Sequence, residues 1–187
     1  MSVPLHSAEG APLSYLAVGL GWEPSPPSVD LGLDQRTAVT NRFDVNLAAL
    51  LFSVDQLVDV VFYDHLASAD GSVRHSGDDL TGEGLGDNET ITIEIDRIAP
   101  SVSSVMFVVS SYTARPFTDI PNAYCHVTDA SSQLEIARYA LTGGPYTAFV
   151  VGKLVRTPQT WFFTGIGAGI EATHVAESVP YLSPYLP

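Results

Sequence analysis

Residues 64–96 read DHLASADGSVRHSGDDLTGEGLGDNETITIEID, and the closing run, residues 90–96, alternates strictly. Ile91, Ile93 and Ile95 fall on one face, while Thr90, Thr92, Glu94 and Asp96 fall on the other. That period belongs to a strand with one buried and one wet face. The middle of the stretch packs Asp70, Asp78, Asp79, Glu83, Asp87 and Glu89 among Gly77, Gly82, Gly84 and Gly86. Carboxylates this close repel one another unless something positive sits between them. Glycines at this density let the chain fold back through positive-φ conformations closed to most residues. The pattern describes a loop able to wrap a hard cation. Calcium takes about six to eight oxygens, from carboxylates and backbone carbonyls. The competing reading is a solvated acidic loop in an acidic protein. The EF-hand pattern is absent, so a site here uses another geometry and draws ligands from elsewhere in the chain.

Working outward, residues 57–63 (LVDVVFY) are β-branched and aromatic and feed a strand directly into the loop. The loop is therefore held between strands. Residues 43–53 (FDVNLAALLFS) are apolar apart from Asp44, Asn46 and Ser53, which reads as a buried strand. An acid at the start of such a strand needs a partner. It is either a hydrogen-bonded Asp at a strand end or a metal ligand facing the acidic loop. Residues 14–22 and 104–112 read as further strands. Residues 122–128 and 133–141 read as a hairpin across 129–132, and residues 146–156 and 159–165 as another across Thr157 and Pro158. The glycine-rich run 165–169 suits a turn, or a strand packed closely against another backbone. Residues 171–179 suit a short helix, and residues 181–187 are irregular. Residues 1–13 form a loose lead-in broken by Pro4 and Pro12, and residues 23–41 a long proline-broken surface loop. Many short strands with at most short helices predict an all-β protein, a β-sandwich. The expected organisation is a single domain spanning 1–187, with its core over about residues 14–179.

Composition narrows the function. With 45% hydrophobic residues the 187-residue chain is not disordered and buries a core without staples. A net charge of −13 excludes nucleic acid as a partner, since binding it needs basic patches. No apolar run approaches the length of a membrane span. The N-terminus has no basic region and no long apolar run of a signal peptide. The expectation is a soluble cytoplasmic protein without membrane insertion.

Catalytic constellations fare poorly. Cys125 and His126 are adjacent on a predicted strand, so their side chains point to opposite faces and form no dyad. Cys125 is expected in the core. His65 and His75 precede the densest acidic run, but oxygen ligands dominate there and favour calcium over zinc. The glycine-rich runs lack the lysine of a phosphate loop. The acids are too crowded for the separated acid and base of a glycosidase.

The segments Gly19-Leu20-Gly21-Trp22, Phe43-Asp44, Phe62-Tyr63, Asp70-Gly71-Ser72-Val73, His75 through Gly84, and Leu134 through Tyr139 resemble the tellurium-resistance, TerD-like stress proteins in order and spacing. The resemblance runs from about Val18 to about Val179. It implies a β-sandwich of two antiparallel sheets that binds calcium, usually two ions, at one edge. It also implies a bacterial cytoplasmic protein linked to tellurite and other stress resistance, acting as a non-catalytic scaffold. The implied partners are other proteins of a stress-response assembly, TerD-like paralogues among them, with no small-molecule substrate.

By resemblance, Asp44 and Asn46 approach the ions from the strand, and Asp78, Asp79, Glu83, Asp87 and Glu89 from the loop. The chain departs from the family pattern at several of these places. Asn46 replaces an acid, Asp79 stands where Asn is common, and Arg42, Leu85 and Asn88 occupy positions often acidic. Fewer charges mean weaker binding, so one Ca2+ or two are expected. The alternative is a metal-free interaction module whose calcium site has decayed. A metal-dependent hydrolase is the remaining rival, with no base to nominate.

Overall fold

Ile91 and Ile93 are fully buried while Thr92 between them is exposed, as the alternation demands. In the computed structural model, which describes residues 2–7, 10–24 and 42–187, they belong to β6 (Glu89–Glu94) of a five-stranded sheet. Its order is β5 (Val73–His75), β6, β2 (Tyr15–Gly21), β8 (Tyr124–Asp129), β9 (Glu135–Ala140). Against it packs a six-stranded sheet. That sheet runs β1 (Ser2–Pro4), β11 (Trp161–Ile170), β10 (Ala148–Arg156), β7 (Ser104–Ser111), β3 (Val45–Ser53), β4 (Gln56–Val61). Among the described residues every pairing is antiparallel, and the expected β-sandwich of two sheets is present.

The two faces of the six-stranded sheet explain its long apolar runs. Val45, Leu47, Ala49 and Leu51 of β3, with Val105, Phe107 and Val109 of β7, point into the space between the sheets. There they meet Leu16, Val18, Leu20, Ile91, Ile93, Cys125 and Val127 of the other sheet. Their neighbours Ala48, Leu50, Phe52, Met106 and Val108 point the other way and form a second cluster with Val150, Val175 and Leu182. A strand buried on both faces has no polar face to show, so alternation vanishes. The cover is α1 (Val175–Leu182) and the 3-10 turn Ser183–Tyr185 that follows it. His174 caps α1 by accepting from the Ala176 N–H at 3.2 Å. Among the described residues no helix is long and apolar enough to cross a membrane.

Several expectations need correction. Residues 1–13 are not all loose: Ser2, Val3 and Pro4 pair with Thr164, Phe163 and Phe162 of β11, and Leu5 is buried. β5 lies inside the acidic stretch, where Val73 and His75 are buried. β11 runs through residues 165–169 instead of ending at Gly165. Its glycines admit aromatic rings more than backbone, since a Cβ at Gly169 would stand 2.1 Å from Tyr146. The helix begins and ends later than residues 171–179. The loop expected over 23–41 lies outside the described residues from 25 onward.

Asp70 belongs to the fold rather than to any ion site. Its Oδ1 accepts from Ser68 Oγ (2.7 Å), Ser72 N (2.9 Å) and Ser72 Oγ (2.6 Å), and its Oδ2 accepts from Ala99 N at 2.7 Å. Burial works to raise this carboxyl, but the hydrogen bonds from Ser72, Ser68 and Ala99 outweigh it and hold it down to about 2. A depressed folded value means stability that is complete above the unfolded pKa and lost as pH falls toward about 2. Asp70→Asn is expected to cost ~1–2 kcal/mol near neutral pH, after allowing for solvent screening. The gap from wild type should narrow below about pH 4, read from urea unfolding across that range. Leu182→Ala, opening the fully buried contact of α1 with the sheet, is expected to cost ~2–4 kcal/mol in the same assay.

Candidate metal centre

Glu89 opens β6 with no exposed surface, and three elements supply its hydrogen bonds. Its Oε2 accepts from the Leu47 N–H of β3 at 2.7 Å and from His75 Nε2 of β5 at 3.2 Å. Its Oε1 accepts from the Asp79 N–H at 3.4 Å. The Gly77 N–H donates to His75 Nδ1 at 3.0 Å, so the ring proton is on Nε2, facing the carboxylate. Burial raises the Glu89 carboxyl, and the bonds from His75 and Leu47 pull against it. Glu89 thus joins both sheets and the base of the acidic loop at one point. His75 falls within the acidic stretch expected to be loop. It is a buried strand residue, in a strand whose single alternation with Val73 across Arg74 is too short to read as a period.

The loop is seated on the end of β2. The Asn88 N–H donates to Leu20 O at 2.8 Å, and the Trp22 N–H donates to Asn88 Oδ1 at 2.9 Å. Asn88 Nδ2 reaches Glu83 O at 3.4 Å. Gly82, at φ +70°, lies on the Trp22 indole, where a Cβ would stand 2.4 Å from Nε1. Leu20 and Trp22 at the end of β2, with Asn88 and Gly82 of the loop, therefore form one docking surface.

The acids divide among three places. Asp44 and Asn46 come together at the start of β3, where Asn46 Nδ2 donates to Asp44 Oδ1 at 2.7 Å. A carboxylate only accepts, so the amide nitrogen must face it and Asn46 Oδ1 is left over. That oxygen is buried without a hydrogen-bond partner. Burial raises the Asp44 carboxyl, the Asn46 bond lowers it, and repulsion from Asp78 raises it again. Asp78 is raised by burial and by its neighbour Asp79, against an opposing pull from His75. Tyr63, itself raised chiefly by burial, feels both Asp44 and Asp78. Asp44, Asn46 and Asp78 thus share one neighbourhood, and Asp79 adjoins it.

Asp79 Oδ1 is occupied by Thr81 N (2.7 Å), Thr81 Oγ1 (2.9 Å) and Gly82 N (2.9 Å). Burial works to raise this carboxyl, but those bonds hold it low. The Asn88 side chain adds a further hydrogen bond to this carboxylate and lowers it too. Glu83 is exposed on the loop. Asp87 faces away, toward Tyr124 and His126 on the five-stranded sheet. Burial works to raise it, but the bonds from His126 and Tyr124 together with the attraction of His126 and Arg138 outweigh that and keep it low, and the Asp87 bond raises His126. Among the described residues, no three His, Cys, Asp or Glu side chains stand close enough to hold a metal by themselves. A cation at Asp44 and Asp78 needs the carbonyl of Asn46, which fits a hard ion that accepts amide oxygens.

The chain matches the TerD domain model over residues 2–177. It is 37% identical to tellurium resistance protein TerZ of Serratia marcescens, covering 86% of this chain and 83% of that protein. It is 34% identical to tellurium resistance protein TerD of Alcaligenes sp., covering 90% and 91%. Stress response protein SCP2 of Bacillus subtilis (strain 168) is 29% identical over 90% of this chain. A solved homologue of the telluride resistance protein TerD, from Streptomyces coelicolor A3(2), shares the fold at a TM-score of 0.74 and 24% identity, covering 89% of this chain and 95% of that one. With its two-sheet sandwich and glycine-seated acidic loop, the chain belongs to the TerD-domain family of tellurium-resistance and stress proteins.

Proposed function

We propose that this protein is a calcium-dependent, non-catalytic scaffold of the cytoplasmic response to tellurite and related stress. The observation that carries calcium is the buried Asn46 Oδ1, left without a donor beside Asp44 and Asp78. Asp44, Asn46 and Asp78 would hold the ion, with the adjoining Asp79 and the exposed carboxylate of Glu83 to complete it. Glu89 would brace that set from below. Calcium supplies the positive charge that offsets repulsion among these acids, and thereby ties ion binding to the order of the loop.

The non-catalytic role is supported by the state of the candidate nucleophiles. Cys125 is buried between the sheets with its thiol raised by that burial, and His126 lies on the opposite face. Tyr124 is pushed up to about 12, chiefly by burial and by Asp87, so it donates a hydrogen bond and does not attack. The stress role is supported by the tellurium-resistance and stress-response relatives, and the scaffold role by the loop itself. Leu80 and Leu85 stand exposed on it, apolar contacts for another protein of the assembly. A metal-free module is the competing reading, favoured by the hydrogen bonds through which Glu89 and Asn88 already hold the loop.

Calorimetric titration of chelator-stripped protein, with magnesium as control, should show saturable calcium binding. At a free concentration about a hundredfold above Kd, the added stability should be ~2.7 kcal/mol. Asp78→Asn should weaken binding by about tenfold or more, whereas Asn46→Asp should tighten it several-fold and lower the melting temperature in chelator. No binding heat and no stabilisation by calcium would leave the metal-free module.

A further inference from the structure

Asp87 is set apart from the other loop acids by where its carboxylate goes. Its Oδ2 lies 2.9 Å and its Oδ1 3.0 Å from His126 Nε2, and Tyr124 Oη donates to Oδ1 at 3.0 Å. His126 and Tyr124 are on β8, across β2 from the loop. In register they sit opposite Gly19 and Gly21. A Cβ on Gly19 would stand 2.1 Å from Asp87 Oδ2 and 2.4 Å from His126 Nε2. A Cβ on Gly21 would stand 2.5 Å from the Tyr124 ring. Neither glycine has a positive φ, so what they provide is space and not backbone freedom. They open a recess across β2 through which the loop acid reaches β8.

β9 completes the recess. Arg138 lies over the Tyr124 ring, its Cζ 4.7 Å from the centroid. Arg138 Nε also donates to Glu135 Oε2 at 2.8 Å, and that oxygen is 3.4 Å from His126 Nδ1. The imidazole is thus held from both sides, by Asp87 at Nε2 and by Arg138 and Glu135 at Nδ1. Both oxygens of Asp87 are engaged by this wall.

We propose that Asp87 is a docking acid rather than a calcium ligand: the recess formed by Gly19, Tyr124, His126 and Arg138 receives its carboxylate and fixes the loop in the position from which its other acids bind. His126 is then a positioning residue. The docking itself does not depend on an ion, but its effect on affinity rests on the calcium reading above.

The test compares Asp87→Asn, His126→Gln and Gly19→Ala in the full chain, by amide hydrogen exchange in chelator and by calcium titration. In chelator, each substitution should speed exchange of the Asn88 N–H, bonded to Leu20 O, by about tenfold or more, while amides of β3 and β7 exchange at wild-type rates. That readout decides the docking role even if the protein takes no calcium. With calcium, His126→Gln and Asp87→Asn should weaken binding to a similar degree, a few-fold, with unchanged stoichiometry. The double substitution should be no worse than either alone. If Asp87 were a ligand, Asp87→Asn would remove affinity or a binding event, and His126→Gln would free the carboxylate and leave affinity unchanged or tighter. That opposite pattern, or wild-type exchange at Asn88 in all three variants, overturns the proposal.

Discussion

The buried carboxylate of Glu89 is the point on which the site end of the sandwich depends. It is shut off from solvent, so its oxygens must be met by protein donors, and those donors come from β3, β5 and the loop. Meeting them fixes where the two sheets stand relative to each other at that end. It also goes with one tautomer of His75, because Nδ1 accepts from the Gly77 N–H and the proton facing Glu89 is on Nε2. A loop of glycines and acids would otherwise be the least ordered part of the molecule, both from backbone entropy and from self-repulsion. Here it is fastened at Glu89, at Asn88 and at Asp87 by the protein's own hydrogen bonds.

The loop then does two separate jobs with one kind of side chain. Asp70, Asp79 and Asp87 accept hydrogen bonds that outweigh their burial, and their carboxyls are held low. Asp44 and Asp78 lack enough donors, and burial with mutual repulsion pushes them up. Acids of the first kind are satisfied by the protein, whereas those of the second kind are better satisfied by a cation. Asn46 belongs with the second group through its unpartnered oxygen, although it carries no charge.

The sequence made the scaffold legible wherever a strand was long enough to show its period. Ile91 and Ile93 announced β6, and the adjacency of Cys125 and His126 correctly put one in the core and the other on the far face. The three-residue strands β1 and β5 were not legible, because so few residues carry no period and because Pro4 and the surrounding acids argued for loops. The start of α1 depended on a capping His174 that no helical periodicity marks. Within the site, the grouping of Asp44 with Asn46 could be anticipated from their shared strand face. The direction of Asp87 could not, since His126 lies 39 positions away and the recess between them is made by missing side chains on a third strand.

The outer strands of the two sheets limit how such a protein can assemble. β1 and β5 are three residues each, too short to template a neighbour. β9 carries Glu135 and Arg138, a charged border. On β4, the Val60 N–H is taken by Asp59 Oδ1 at 2.9 Å and its carbonyl by His65 Nδ1 at 2.8 Å. Growth by adding strand to strand, the route to fibres and runaway aggregates, is therefore discouraged at each border. Association with other molecules is steered toward loop and side-chain surfaces, which can be engaged and released without rebuilding a sheet.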